Sequence, residues 1–183
     1  IVSKPLESRA AANASRLEKI EAREPALIQA LAAVKARNAL LAGGPSPENT
    51  TRMMTDAESL AGQVEAEVEA LESGRNPFRG RRGDYWRVFK AGEREIPLRV
   101  FCPSAAAASP APRLVVAFHG AGGDENMFMD GYGAGMLKRL AEKHGFLLAT
   151  PRTEAFGGAA AGDVFDALLQ TLAFDYSFDP RKV

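Results

Sequence analysis

Read for its hydrophobic and polar positions, the chain changes period once. Up to about residue 74 the apolar positions recur at steps of three and four. Leu6, Ala10, Leu17 and Ile20 come first, then Leu27, Leu31, Val34 and Leu41, then Met53, Ala57, Leu60, Val64, Val68 and Leu71. That spacing predicts three amphipathic helices with no strand among them. Pro25 opens the second helix in its first turn, where a missing N–H is harmless. Lys35 and Arg37 fall on its other faces, and Gly43-Gly44-Pro45-Ser46-Pro47 stops it. Ser73-Gly74 ends the third. The stripes suit mutual packing; they lack a sustained a/d heptad, which argues against a coiled coil. They also offer a surface for self-association.

Beyond residue 83 the period shortens. Tyr85-Trp86-Arg87-Val88-Phe89 is a strand by its aromatic and β-branched content, and Ala91-Gly92 is a turn. In the run 95–101, Ile96, Leu98 and Val100 face one way, making an antiparallel hairpin with the first strand. Pro97 points to a sheet edge. Residues 104–112 read as an Ala/Ser/Pro loop. The apolar run 114–118 (Leu-Val-Val-Ala-Phe) predicts a buried strand. A helix over about 134–144 follows, with Met136, Leu137, Leu140 and Ala141 inward, closed by His144 and Gly145. Phe146 to Pro151 is the next strand, parallel to 114–118 through a βαβ crossover. After a Gly/Ala loop, Asp163 caps a last helix carrying Val164, Ala167, Leu168, Thr171 and Leu172. Between the two regimes, residues 75–83 form a basic linker with Arg75, Arg79, Arg81 and Arg82. The fold class is therefore α/β over 84–183, preceded by a helical segment over 1–74.

The candidate chemistry sits where strand 114–118 ends, in His119-Gly120-Ala121-Gly122-Gly123-Asp124-Glu125-Asn126. Glycines let the backbone turn sharply and bring its N–H groups to a ligand, and Asp124 can cap the helix that follows. Such a corner binds anions. The dinucleotide pattern G-x-G-x-x-G fails, because Glu125 occupies its third glycine position. The other use of such a turn is an oxyanion hole, in which free N–H groups face a tetrahedral intermediate.

Bulk composition narrows the classes. With 23 basic and 23 acidic residues the net charge is zero, which points away from nucleic acid. No apolar run approaches the ~20 residues of a membrane span. One cysteine (Cys102) and two histidines leave neither an intrachain disulfide nor a Cys/His metal site. A start at Ile1 is what a removed signal peptide would leave, favouring a secreted or periplasmic protein. Asp179-Pro180-Arg181-Lys182-Val183 reads as the approach to a further strand, hence an incomplete chain.

Hairpin, strand with HG-x-G-G, helix, strand ending in proline, and helix, in that order, resemble the N-terminal half of an α/β-hydrolase. Within that superfamily the segments 114–126, 145–151 and 163–183 look like the esterases grouped with polyhydroxybutyrate depolymerases and feruloyl esterases. The resemblance covers residues 84–183. It implies a serine esterase that forms an acyl-enzyme, needs no cofactor or metal, and takes a small or polymeric ester. It also implies that the Ala121 N–H, with Gly122, lines the oxyanion hole. His119, Gly120 and Gly123 would shape the turn, while Asp124, Glu125, Asn126, Phe128 and Tyr132 could line the substrate entrance. The nucleophile elbow G-x-S-x-G would begin at Lys182-Val183, and no serine present has that context. The triad acid and histidine follow the serine in these folds, so the 183 residues alone should be inactive. The alternative from another class is a non-catalytic interaction protein, a helical arm joined to a truncated hydrolase-like domain.

Overall fold

The computed structural model describes residues 4–43, 56–179, 181 and 183. It is a mixed α/β protein of two compact units, Ile1–Phe78 and Arg79–Val183.

The first unit holds α1 (Lys4–Leu17), α2 (Pro25–Ala42) and α3 (Ala57–Glu72), each packed on the other two. Leu6, Leu17, Val34, Leu41, Leu60, Val64 and Val68 form its interior. Asp56 caps α3 by accepting the Ser59 N–H at 2.8 Å. Arg37 is not on an outer face. It is 3% exposed, and its guanidinium donates to the buried Glu67 carboxylate at 2.9 and 3.1 Å and to Gln63 at 2.8 Å. Alanines around α2 let its neighbours approach on several sides, so a charge midway along it is enclosed with its partner. Near the surface, Arg9 and Arg16 fork onto Glu65 and Glu72. Those ties hold both carboxyls below their ordinary range. The expected Met53 position lies outside the described residues.

The second unit is a four-stranded sheet of order β1-β2-β4-β3, built from β1 (Gly83–Ala91), β2 (Arg94–Cys102), β3 (Arg113–Val116) and β4 (Phe146–Pro151). β2 runs antiparallel to β1 and β4, and β3 runs parallel to β4. Pro97 therefore lies in an inner strand, not at an edge. Its carbonyl accepts the Arg152 N–H at 2.9 Å, so its donorless nitrogen faces the same side, where the β4 ladder has ended.

Strand alternation sorts the side chains. Trp86 stands opposite Arg99, which stands opposite Thr150, so Asp84, Trp86, Arg99 and Thr150 share one face. Tyr85, Arg87, Phe89, Ile96, Leu98 and Val100 share the other. The first face is covered by a π-helical turn (Met127–Gly131) and α5 (Met136–His144); Met129, Ala141 and Leu148 pack at its centre. The second is covered by α6 (Ala161–Asp175), whose Asp175 pairs with Arg87 and whose end is held by Tyr176.

Several expectations need correction. A short helix, α4 (Ser104–Ala107), occupies part of the anticipated 104–112 loop, as its alanines favour. α5 begins at Met136 and buries only Ala141, leaving Met136 half exposed. Asp163 sits inside the first turn of α6, and Ala160 holds the cap position without a side-chain bond. Within the basic linker, the Gly80 N–H donates to the Asp175 carbonyl, and the Arg81 carbonyl accepts from the Tyr176 hydroxyl. Of the expected strand approach at the end of the chain, Pro180 and Lys182 lie outside the described residues.

Candidate functional site

The glycine turn leaves the carboxyl end of β3, after the Ala117 N–H has made a last bond to the Ala149 carbonyl at 2.9 Å. Ligand sites of parallel α/β sheets gather at this end of the strands. The Gly123 N–H folds back onto the Gly120 carbonyl at 3.1 Å, and Gly122 takes φ +78°, which L side chains disfavour. Ala121 and Gly122 are exposed, and among the described residues their N–H groups donate to nothing. Two unengaged donors at the crest of a tight turn can receive an anion.

His119 is the first fixed point. It is 5% exposed, with Nδ1 2.9 Å from the Gly120 carbonyl and Nε2 2.9 Å from the Thr153 backbone nitrogen. An amide N–H can only donate, so Nε2 accepts and the ring proton resides on Nδ1, donated to Gly120. The ring thus joins the end of β3 to the segment after β4. With both nitrogens used it is a brace rather than a base. A methyl on Gly123 would stand 2.6 Å from the Met127 Cε and 3.0 Å from the His119 Nδ1, so bare glycine lets the ring close over the turn.

The second fixed point is Glu125, wholly buried. Its Oε1 accepts the Trp86 indole N–H at 2.8 Å, and its Oε2 accepts from Arg152 Nε at 2.8 Å and Nη2 at 2.7 Å. Its carbonyl takes the Thr150 hydroxyl at 2.6 Å. Asn126 continues the attachment, accepting from Arg99 at 3.1 Å. Asp124 does not cap a long helix; it accepts from the Asn126 N–H at 2.9 Å in a local turn. Glu125 and Asn126 therefore face the sheet and do not line an entrance. Phe128 and Tyr132 lie ring against ring at 5.3 Å, with Tyr132 55% exposed and Phe128 partly buried.

Arg99 is the hub beneath the loop. Fully buried, it donates to both oxygens of Asp84 at 3.0 and 2.6 Å and also to Asp130, while Lys138 bridges the same two carboxylates at 3.0 and 2.8 Å. Two cations and two anions balance. Burial works against ionising Asp130, yet the bonds from Arg99 and Lys138 outweigh it and hold the carboxyl below its ordinary value.

A cleft of about 450 Å³ lies elsewhere, at the amino ends of β3 and β4, lined by Arg79, Arg82, Cys102, Pro112, Leu147 and Tyr176 among others. It is at the wrong end of the strands to serve the turn. Burial pushes the Cys102 thiol up, away from a reactive thiolate. Among the described residues no group of three His, Cys, Asp or Glu could hold a metal, and no helix is long and apolar enough to cross a membrane. The chain matches no protein-family model and no curated protein.

Sequence reasoning found the turn but not its anchors. One available signal was charge inside a strand: Arg99, in the apolar run 96–101, must be enclosed with a counter-charge.

Proposed function

We propose that residues 79–183 form part of a serine hydrolase that cleaves a carboxylic ester, small or polymeric, with Ala121 and Gly122 supplying oxyanion-hole donors. One observation carries the reading: two backbone N–H groups that donate to nothing among the described residues crest a braced turn at the carboxyl end of a parallel strand. The resemblance of this strand order and HG-x-G-G turn to α/β-hydrolases supports it further. In the mechanism a serine attacks the ester carbonyl, and the oxygen gains negative charge facing these donors. The alcohol departs to leave an acyl-enzyme, and water then releases the acid. Donors fixed beforehand favour the charged state without reorganisation; loss of one costs about 10²–10³ in rate. His119 is a brace and His144 an exposed residue of the last turn of α5, so neither is assigned as the base.

The test reads the coding sequence past Val183 and assays the full-length protein on p-nitrophenyl butyrate. A G-x-S-x-G close after Val183, with hydrolysis lost on changing its serine to alanine, is the expected result. A coding sequence without that motif, or a serine variant of undiminished rate, rejects the reading and favours an interaction protein.

A further inference from the structure

Little within the turn itself holds it in place. Ala121 and Gly122 are exposed, Gly122 adopts a conformation open mainly to glycine, and the bond internal to the turn is a single Gly123–Gly120 contact. What fixes it lies on either side. Upstream, His119 bonds its own neighbour's carbonyl and the Thr153 N–H. Downstream, the chain dives under the loop, and the Glu125 side chain and carbonyl are gripped by three residues from β1, β4 and the segment after it.

The downstream grip is an unusual investment for a loop. A carboxylate that is 0% exposed carries a large desolvation penalty unless paired and hydrogen-bonded. Here its oxygens receive an indole N–H and two guanidinium donors, all between 2.7 and 2.8 Å. An apolar residue would fill the space without needing two matched donors, but it would not fix the backbone direction. A carboxylate held at both oxygens, with its own carbonyl bonded to Thr150, leaves little freedom for the chain on either side. Ala121 and Gly122 are the middle of the short span between this clamp and the His119 brace.

We propose that Glu125 is a positioning residue for the oxyanion turn: clamped between Trp86 and Arg152, it aims the Ala121 and Gly122 N–H groups from beneath without touching substrate. This rests on the esterase reading for its catalytic consequence, though the clamp itself is independent of it. A misplacement of about 1 Å at a reacting centre can cost 10²-fold in rate.

The experiment uses the full-length protein and compares wild type with Glu125→Gln and Trp86→Phe. Glutamine keeps the shape but turns an amide N–H₂ toward Arg152 or Trp86; phenylalanine removes the indole donor along with part of the ring, leaves the Glu125–Arg152 pair intact, and guards against misfolding of the first variant. Initial rates on p-nitrophenyl butyrate are normalised to active sites by the p-nitrophenol burst. Hydrogen exchange of the Gly123 amide, which is bonded to the Gly120 carbonyl across the turn, is followed by NMR in parallel. Expected for Glu125→Gln is a fall in kcat of about 10- to 100-fold with KM within about twofold, and faster exchange at the Gly123 amide than in wild type, with amides of β4 unchanged. Trp86→Phe gives a smaller change in the same direction. Unchanged exchange at the Gly123 amide in both variants overturns the clamp whatever the activity. Faster exchange with kcat per site unchanged overturns the positioning role. A wild-type protein that hydrolyses no ester defeats the esterase reading and with it the catalytic half of this proposal, while the exchange data still decide the clamp.

Discussion

The pairing of Arg87 with Asp175 is the sharpest place to test the physical account. Arg87 is 0% exposed on the β1 face that meets α6, and Asp175 is the last residue of that helix, its side chain 2% exposed. Replacing Asp175 with asparagine removes the counter-charge while keeping size and leaving the backbone carbonyl free to accept from Gly80. A guanidinium buried without its carboxylate costs ~3–5 kcal/mol. A domain of this size is stable by only ~5–15 kcal/mol. At roughly 4 °C per kcal/mol, melting of the second unit should fall by about 12–20 °C. The combined variant Arg87→Met with Asp175→Leu removes both charges at similar volume, and should return to within about 1–2 kcal/mol of wild type. Trp86, the chain's one tryptophan, is buried in the same unit and reports its unfolding in guanidinium without interference. A loss under about 1 kcal/mol for Asp175→Asn, or a double variant as unstable as the single ones summed, would refute the reasoning.

Two further outcomes follow from the same geometry. Gly123→Ala sets a methyl against the flexible end of Met127, which can swing aside, and 3.0 Å from the His119 Nδ1, whose ring is bonded at both nitrogens; it should cost about 1 kcal/mol by overpacking, and a neutral effect speaks against the close fit. Acid should weaken both units, because Asp130, Glu65 and Glu72 ionise more readily in the folded state. Their contribution is complete above the ordinary values of 3.8 and 4.5 and is lost as pH falls through the lowered folded ones. Trp86 fluorescence against pH should show the second unit's loss, with a shallower slope in Asp130→Asn, and an unchanged slope would remove Asp130 from the account.

The parts of this structure that were legible in the sequence are those that local rules govern. The helical period before residue 74, the hairpin and the strand from Phe146 to Pro151 all follow from side-chain alternation. The Gly145 cap adds a φ of +67°, donating to the Ala141 carbonyl at 2.8 Å. What escaped was set by partners far along the chain. Pro97 reads as an edge residue until the place where β4 stops is known. Glu125 read as a broken nucleotide motif, since nothing nearby announces that Trp86 and Arg152 will converge on it. Arg37 looked solvent-facing because a helical period cannot show that Glu67 waits opposite.

The sheet order carries a consequence for how the molecule assembles. The first unit is closed by helices adjacent in sequence, and the β1–β2 hairpin by the short turn at Gly92 and Glu93. Pairing β2 with β4 instead requires the chain between Cys102 and Phe146 to loop back, and contacts that distant in sequence are slow to form. The clamp on Glu125 needs β1, the turn and the end of β4 together, so it should be among the last contacts made. In stopped-flow refolding, helical circular dichroism should precede the Trp86 signal, and simultaneous recovery would count against this order. The braced turn, on this view, is finished only when everything beneath it has been laid.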